Sequence, residues 1–143
     1  MSDTGVRIRA GRLDEIEAVL EFWLLAAENT DRHDSAEGVR RLMERDPEAL
    51  MVAEIDGRLV GTLIAGWDGW RAHLYRLAVH PGHRRRGVAR ALIDAAEARF
   101  ARFGAVRSDA MVLDANVLAH QAWTAAGYGR QTDCSRWVRS LRS

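Results

Sequence analysis

The stretch from Trp70 to Leu113 constrains this 143-residue chain more than any other. Trp70 to Val79 reads as a strand, with Leu74, Tyr75, Leu77 and Val79 supplying the β character. Pro81-Gly82 breaks it, and three consecutive arginines follow. From Gly87 to Phe103 the apolar residues recur at helical spacing: Val88, Ala91, Leu92, Ala95, Ala96 and Phe100. Gly104 is the expected C-cap, and Ala105 to Leu113 reads as a strand again. Strand, helix and strand in succession call for a parallel pair joined by a right-handed crossover.

The rest of the chain must fit around that unit. Val6, Ile8 and Ala10 alternate with Arg7 and Arg9 as a half-buried first strand. Leu13, Ile16, Val19, Leu20, Trp23, Leu24 and Ala27 form one helical stripe, broken by the polar run 29–35. Ser35 is a candidate N-cap for a short helix carrying Val39, Leu42 and Met43 and ended by Asp46-Pro47. Leu50–Ile55 and Arg58–Ala65 form a hairpin around Asp56-Gly57, and Gly66–Gly69 makes another turn. Asn116–Ala126 reads as a helix stopped by Gly127, and Tyr128–Leu141 as one or two strands that include Cys134 as a small core residue. The expected architecture is one α/β (α+β) domain over residues 1–143: a mixed, largely antiparallel sheet with helices on both faces.

Composition removes several chemistries. All 21 basic residues are arginine, so a lysine Schiff base or a lysine-bearing phosphate loop cannot be built from this chain. One cysteine makes no internal disulfide, and no Cys/His cluster has zinc spacing, so no metal is expected. No apolar run is long enough to cross a bilayer, and the cytoplasm is the expected address. The net charge of +1 conceals a division. Residues 1–69 hold 8 Arg against 15 acids (−7), and residues 70–107 hold 9 Arg against 2 acids (+7). The middle of the chain suits an anionic partner and the first part a cationic one. Nucleic acid is not expected, because the acids elsewhere hold the domain near neutrality.

The basic surplus centres on Leu77-Ala-Val-His-Pro-Gly-His-Arg-Arg-Arg-Gly-Val-Ala-Arg90. Here a strand ends, a loop follows, and a helix begins whose first amides have no intrahelical partners. Gly87 and Ala89 let an anion approach the backbone, the helix dipole favours negative charge, and Arg84, Arg85 and Arg86 add cations at the rim. The arrangement predicts a phosphate or pyrophosphate cradle rather than a merely solvated basic loop.

Val79-x-Pro81-x-x-Arg84-x-x-Gly87-x-Ala89 resembles the acetyl-CoA signature of the GCN5-related N-acetyltransferase (GNAT) superfamily. Asn116-x-x-Ala119, Trp123 and Gly127-Tyr128 resemble its second signature, and the likeness covers essentially the whole chain. It implies a central pair of parallel strands splayed into a V-shaped slot. It also implies that the backbone of Arg84, Arg85, Arg86, Gly87, Val88 and Ala89, with neighbouring Arg90, holds the pyrophosphate of coenzyme A. By the same resemblance Leu77, Ala78 and Val79 pair with the pantetheine arm, Asn116 reaches that arm, and the small Ala119 lets it pass. Acetyl-CoA, or another short acyl-CoA, is the implied co-substrate.

One position departs from the pattern. Trp123 stands where many relatives place a tyrosine that protonates the departing thiolate, and an indole N–H is no useful acid near neutral pH. Solvent, or the Tyr75 phenol, would then take that part. Counting back from Arg84, His73 falls where histone-acetylating relatives carry a glutamate base. An unperturbed imidazole suits a base near neutral pH, while a water chain or a merely structural strand histidine are the alternatives. Strand alternation would put His73 and Tyr75 on the same side as Leu77 and Val79. Trp67, Trp70 and the loop containing Asp31, His33 and Asp34 are candidates for the acceptor side, whereas His80, His83 and His120 read as surface residues.

The reading is an acyl-CoA-dependent N-acyltransferase acting by direct attack of a primary amine in a ternary complex. The acceptor would be a small-molecule amine or a peptide N-terminus, of cationic character. The alternative is an acyl-CoA-binding sensor with little or no turnover. The C-terminal strands also offer a surface for a homodimer.

Overall fold

Five strands form one sheet in the sequential order β1-β2-β3-β4-β5, in a computed structural model that describes residues 5–26 and 34–141. β1 (Arg7–Ala10), β2 (Leu50–Ile55), β3 (Arg58–Trp67) and β4 (Ala72–Val79) pair antiparallel, and β5 (Ser108–Ala110) pairs parallel to β4. Helices α1 (Ile16–Ala26) and α2 (Ala36–Arg45) precede β2, α3 (Val88–Arg102) crosses from β4 to β5, and α4 (Val117–Ala125) follows β5.

Local rules explain most boundaries. Asp56 and Gly57 have φ of 51° and 77°, as the tight β2–β3 turn requires. The Ser35 hydroxyl accepts the Gly38 N–H at 3.0 Å and caps α2. Gly104, with φ of 80°, ends α3 as expected.

The sheet separates two apolar cores. On one face α3 packs Val88, Leu92, Ile93, Ala96 and Phe100 against Met51, Leu63, Ala65 and Leu74. On the other, α1 and α2 pack Ile16, Val19, Phe22, Trp23, Val39 and Met43 against Leu50, Val52 and Ala78. Helices on both faces of a mixed sheet are therefore observed. The α1 stripe is rotated from the expected one: Phe22 and Ala26 are buried, while Leu13 and Leu24 are exposed. Leu13 lies in a separate 3-10 turn, so it does not continue the α1 face.

Two further expectations are corrected. β5 spans three residues rather than Ala105–Leu113, because its pairing with β4 ends at Leu74–Ala110. Residues 129–141 form no strand, leaving β5 at one edge of the sheet among the described residues. Trp137, Val138 and Leu141 are exposed there, and so is Cys134, which is no core residue. The segment lacks the strict alternation that would give a strand one buried face.

A β-bulge in β4 fixes which residues face the site. The β3–β4 register shifts between Thr62 and Ile64, and Arg76 takes up the extra residue at φ of 57°. The Trp23 indole N–H donates to the Thr62 hydroxyl (2.8 Å), which donates to the Arg76 carbonyl (3.0 Å). This buried relay stabilises an arginine in a conformation that favours glycine.

Candidate active site

β4 and β5 pair from Ala72–Ser108 to Leu74–Ala110, with one further bond from the Met111 N–H to the Leu74 carbonyl at 3.1 Å. Beyond that point the strands part, and a cavity of about 650 Å³ occupies the gap. Its β4 wall runs from Arg76 to Val79, and its opposite wall is Met111–Leu113 with Asn116, Ala119 and Trp123. His83, Arg84, Arg85 and the first turn of α3 close one end, while Trp23 and Ala26 of α1 lie toward Arg76.

The α3 end is built for an anion. Gly87 is the N-cap at φ of 79°, and Arg85 is also left-handed at φ of 66°. Such turns expose successive N–H groups on a concave surface. With the cap residue at Gly87, the Val88, Ala89 and Arg90 amides have no carbonyl one turn back inside α3. Gly87 brings no side chain to cover them. Arg90 also ties α3 to α4, donating to Asp94 (3.0 Å) and to the Ala125 carbonyl (3.1 Å). The His83 Nδ1 is buried without a partner among the described residues, a costly state for a polar atom.

On the α4 wall, the Asn116 side-chain oxygen accepts the Ala119 N–H at 3.0 Å and caps the helix. Trp123 is buried and meets the Tyr128 ring edge-on at 4.9 Å between centroids. The Tyr128 hydroxyl donates to Glu97 (2.8 Å) and shares a 2.5 Å contact with Ser108. Burial, with Glu97 adding to it, pushes this phenol up to about 12. The Tyr128 phenol therefore stays protonated at ordinary pH as it supports the Trp123 wall.

Leu77, Ala78, Val79, Arg84, Arg85, Gly87, Val88, Ala89, Arg90, Asn116, Ala119 and Trp123 all line this one cavity. Arg86, His73 and Tyr75 lie outside the lining; Arg86 and Tyr75 are exposed and His73 is half-buried. The Arg76 bulge reverses the alternation. Leu77 and Val79 pack against the α3 core together with Leu74, so His73 and Tyr75 point from the opposite face. The expectation that all four share a side is corrected. His73 Nε2 lies 3.4 Å from Asp68 and its Nδ1 3.8 Å from Asp109. The Arg71 and Trp70 amides hold the Asp68 carboxyl below the usual range, and burial pushes the Tyr75 phenol up. Trp67 stacks on Phe103 at 5.4 Å, whereas Trp70 is exposed with the Arg71 guanidinium 4.3 Å from its ring. Asp31 and His33 fall outside the described residues.

Arg76, Trp23 and Met111 are lining residues that sequence reasoning missed. Arg76 reads as an ordinary polar member of a strand, and only the bulge turns it to the cavity. The one signal was the misfit of Leu74, Tyr75, Leu77 and Val79 to strict alternation.

The profile described as "Acetyltransferase (GNAT) family" matches residues 14–128. An acetyltransferase of Pectobacterium atrosepticum is 35% identical over 111 residues, covering 78% of this chain and 79% of that relative. Among solved structures, Ard1 from Thermoplasma volcanium superposes with a TM-score of 0.78 at 22% identity, covering 90% of this chain and 85% of that one. The protein yncA from Salmonella typhimurium, solved with its cofactor acetyl-CoA, has a TM-score of 0.72 at 20% identity, covering 90% of this chain and 82% of that one.

Proposed function

This chain belongs to the acetyltransferase (GNAT) family, and on that premise we propose that it transfers acetyl from acetyl-CoA to a primary amine by direct attack in a ternary complex. The observation carrying the reading is the single cavity that joins the α3 amide cradle to the parting of β4 and β5. The fit to coenzyme A rests on three features. The two left-handed turns and the bare cap at Gly87 leave amides for a pyrophosphate. Arg84, Arg85 and Arg90 supply countercharge. β4 beyond Leu74 has lost its β5 partner, which leaves a strand edge for the pantetheine arm.

When bound, acetyl-CoA supplies a thioester whose carbon gains the amine nitrogen as its C–S bond breaks, the amine's proton passing to water and the sulfur leaving as thiolate. Leu77, Ala78 and Val79 align the arm, and a backbone N–H near Val79 donates to the oxygen that gains charge. Asn116 steadies the arm through its amide nitrogen, and Ala119 leaves room beside it. Trp123 excludes water from one wall. The placement of His73 outside the cavity supports water, rather than His73, as the amine's proton acceptor. Tyr75 does not line the cavity either, which supports solvent as the acid. Binding without turnover is the rival reading, favoured only by Trp123.

A thiol-release assay with acetyl-CoA across a panel of amines tests the proposal. Acceptor-dependent thiol release supports it. Silence across the panel, with calorimetry still showing acetyl-CoA binding, replaces it with the sensor.

A further inference from the structure

We propose that Arg76 selects the acceptor, and that the acceptor is a primary amine carrying a carboxylate a few bonds from its nitrogen, such as a free amino acid. The inference rests on the acyl-transfer reading and deepens it. Arg76 is the cation in the cavity wall beside α1, away from the Arg84–Arg90 end. Its side chain is only 14% exposed, and its guanidinium lies 5.4 Å from the Trp23 ring centre. The Trp23–Thr62 relay fixes its carbonyl from behind. The group is thus held in place before any ligand arrives, which lowers the ordering cost of binding.

Among the described residues its hydrogen bonding is incomplete. One terminal nitrogen donates to Asp34 Oδ1 at 2.5 Å, and no other donor of the fork has a partner among the described residues. A guanidinium presents five N–H donors arranged for two-point recognition of a carboxylate. Here Asp34 takes one point through one oxygen. The remaining donors, on a side chain that lines the cavity, match a second carboxylate. Leu77, the next residue, begins the stretch assigned to the acyl-bearing arm. A short acceptor held by its carboxylate at Arg76 therefore presents its amine toward that arm. The acidic surplus of residues 1–69 still suits the ammonium end of such a zwitterion.

The test compares L-amino acids with their amides as acceptors for wild type, Arg76→Met, Arg76→Lys and Asp34→Asn. Wild type should prefer the acid, and Arg76→Met should reduce the acid-to-amide ratio of kcat/KM by about 10- to 100-fold, the loss of a charge-assisted pair. Arg76→Lys, which keeps charge but not the fork, should fall between. Asp34→Asn, which weakens the competitor, should lower KM for the acid. The Arg76 Nε–H NMR signal, followed while acids and amides are titrated into the CoA-loaded protein, gives a readout free of turnover. Shifts with acids alone support the inference. A signal that ignores acids, or an acid-to-amide ratio unchanged in Arg76→Met, overturns it. Acid-specific shifts without thiol release would overturn the acyl-transfer reading, and with it the acceptor role, leaving only a carboxylate-binding site at Arg76.

Discussion

Gly87 combines a left-handed backbone, at φ of 79°, with a helix start that must stay uncovered if an anion is to reach the amides of α3. Any Cβ opposes both. A β-branched residue in that conformation is strained by about 1–3 kcal/mol and also stands over the cradle. Gly87→Val should therefore weaken acetyl-CoA binding at least about tenfold, a change of about 1.4 kcal/mol. Calorimetry at constant ionic strength reads it directly, and unchanged affinity would remove the cradle. Arg85 accepts a similar left-handed strain at φ of 66° without glycine's freedom. Its side chain lines the cavity, so the strain and the cation occur at one position.

The placement of whole elements depends on a few long side chains. Arg99 on α3 is 2% exposed, donates to the Ala65 carbonyl of β3 at 3.2 Å, and pairs with Asp46 at the end of α2. Its guanidinium also lies 4.9 Å from the Phe103 ring centre. One residue thus joins α3 to the sheet and to the helix that precedes β2. Arg99→Met would keep much of the packing volume but strand Asp46 and the Ala65 carbonyl. Asp46 keeps part of its solvation, so the main cost is the unsatisfied Ala65 carbonyl, about 1–3 kcal/mol, and chemical denaturation should show a loss of that order. A loss under about 1 kcal/mol would mean that the apolar α3 face alone positions the helix. Tyr128 acts comparably on another side of the C-terminal half of α3, where Glu97 and Ser108 hold its hydroxyl and its ring supports Trp123.

Across the whole molecule, charge is divided as the sequence indicates: a +7 segment contains the cradle, and a −7 segment supplies α1, α2 and Asp34. Acetyl-CoA affinity should accordingly fall as ionic strength rises from about 0.05 to 0.5 M, because the Debye length shrinks well below the separation of many of these charges. Binding measured over that range should slope downward, and a flat response would assign affinity to neutral contacts instead. Much of this frame was legible in advance. The Asp56-Gly57 turn, the Ser35 cap, the Gly104 stop and the bare start of α3 follow from conformational rules that act within a few residues. The family match over residues 14–128 agrees with the motif-based resemblance. Other features depended on partners far apart in the chain. Trp23 and Thr62 are separated by 39 positions, Arg76 and Asp34 by 42, and Arg99 and Asp46 by 53. The β4 bulge turned His73 and Tyr75 from the cavity and Arg76 into it, and the end of β5 pairing left residues 129–141 outside the sheet. Local patterns determined most of the elements as far as α4, since turns, caps and periodicity are short-range, but not the extent of β5 or the state of residues 129–141. Only the tertiary structure decided which side chains face the cavity, because a one-residue shift in a strand reverses its faces and no short window records it.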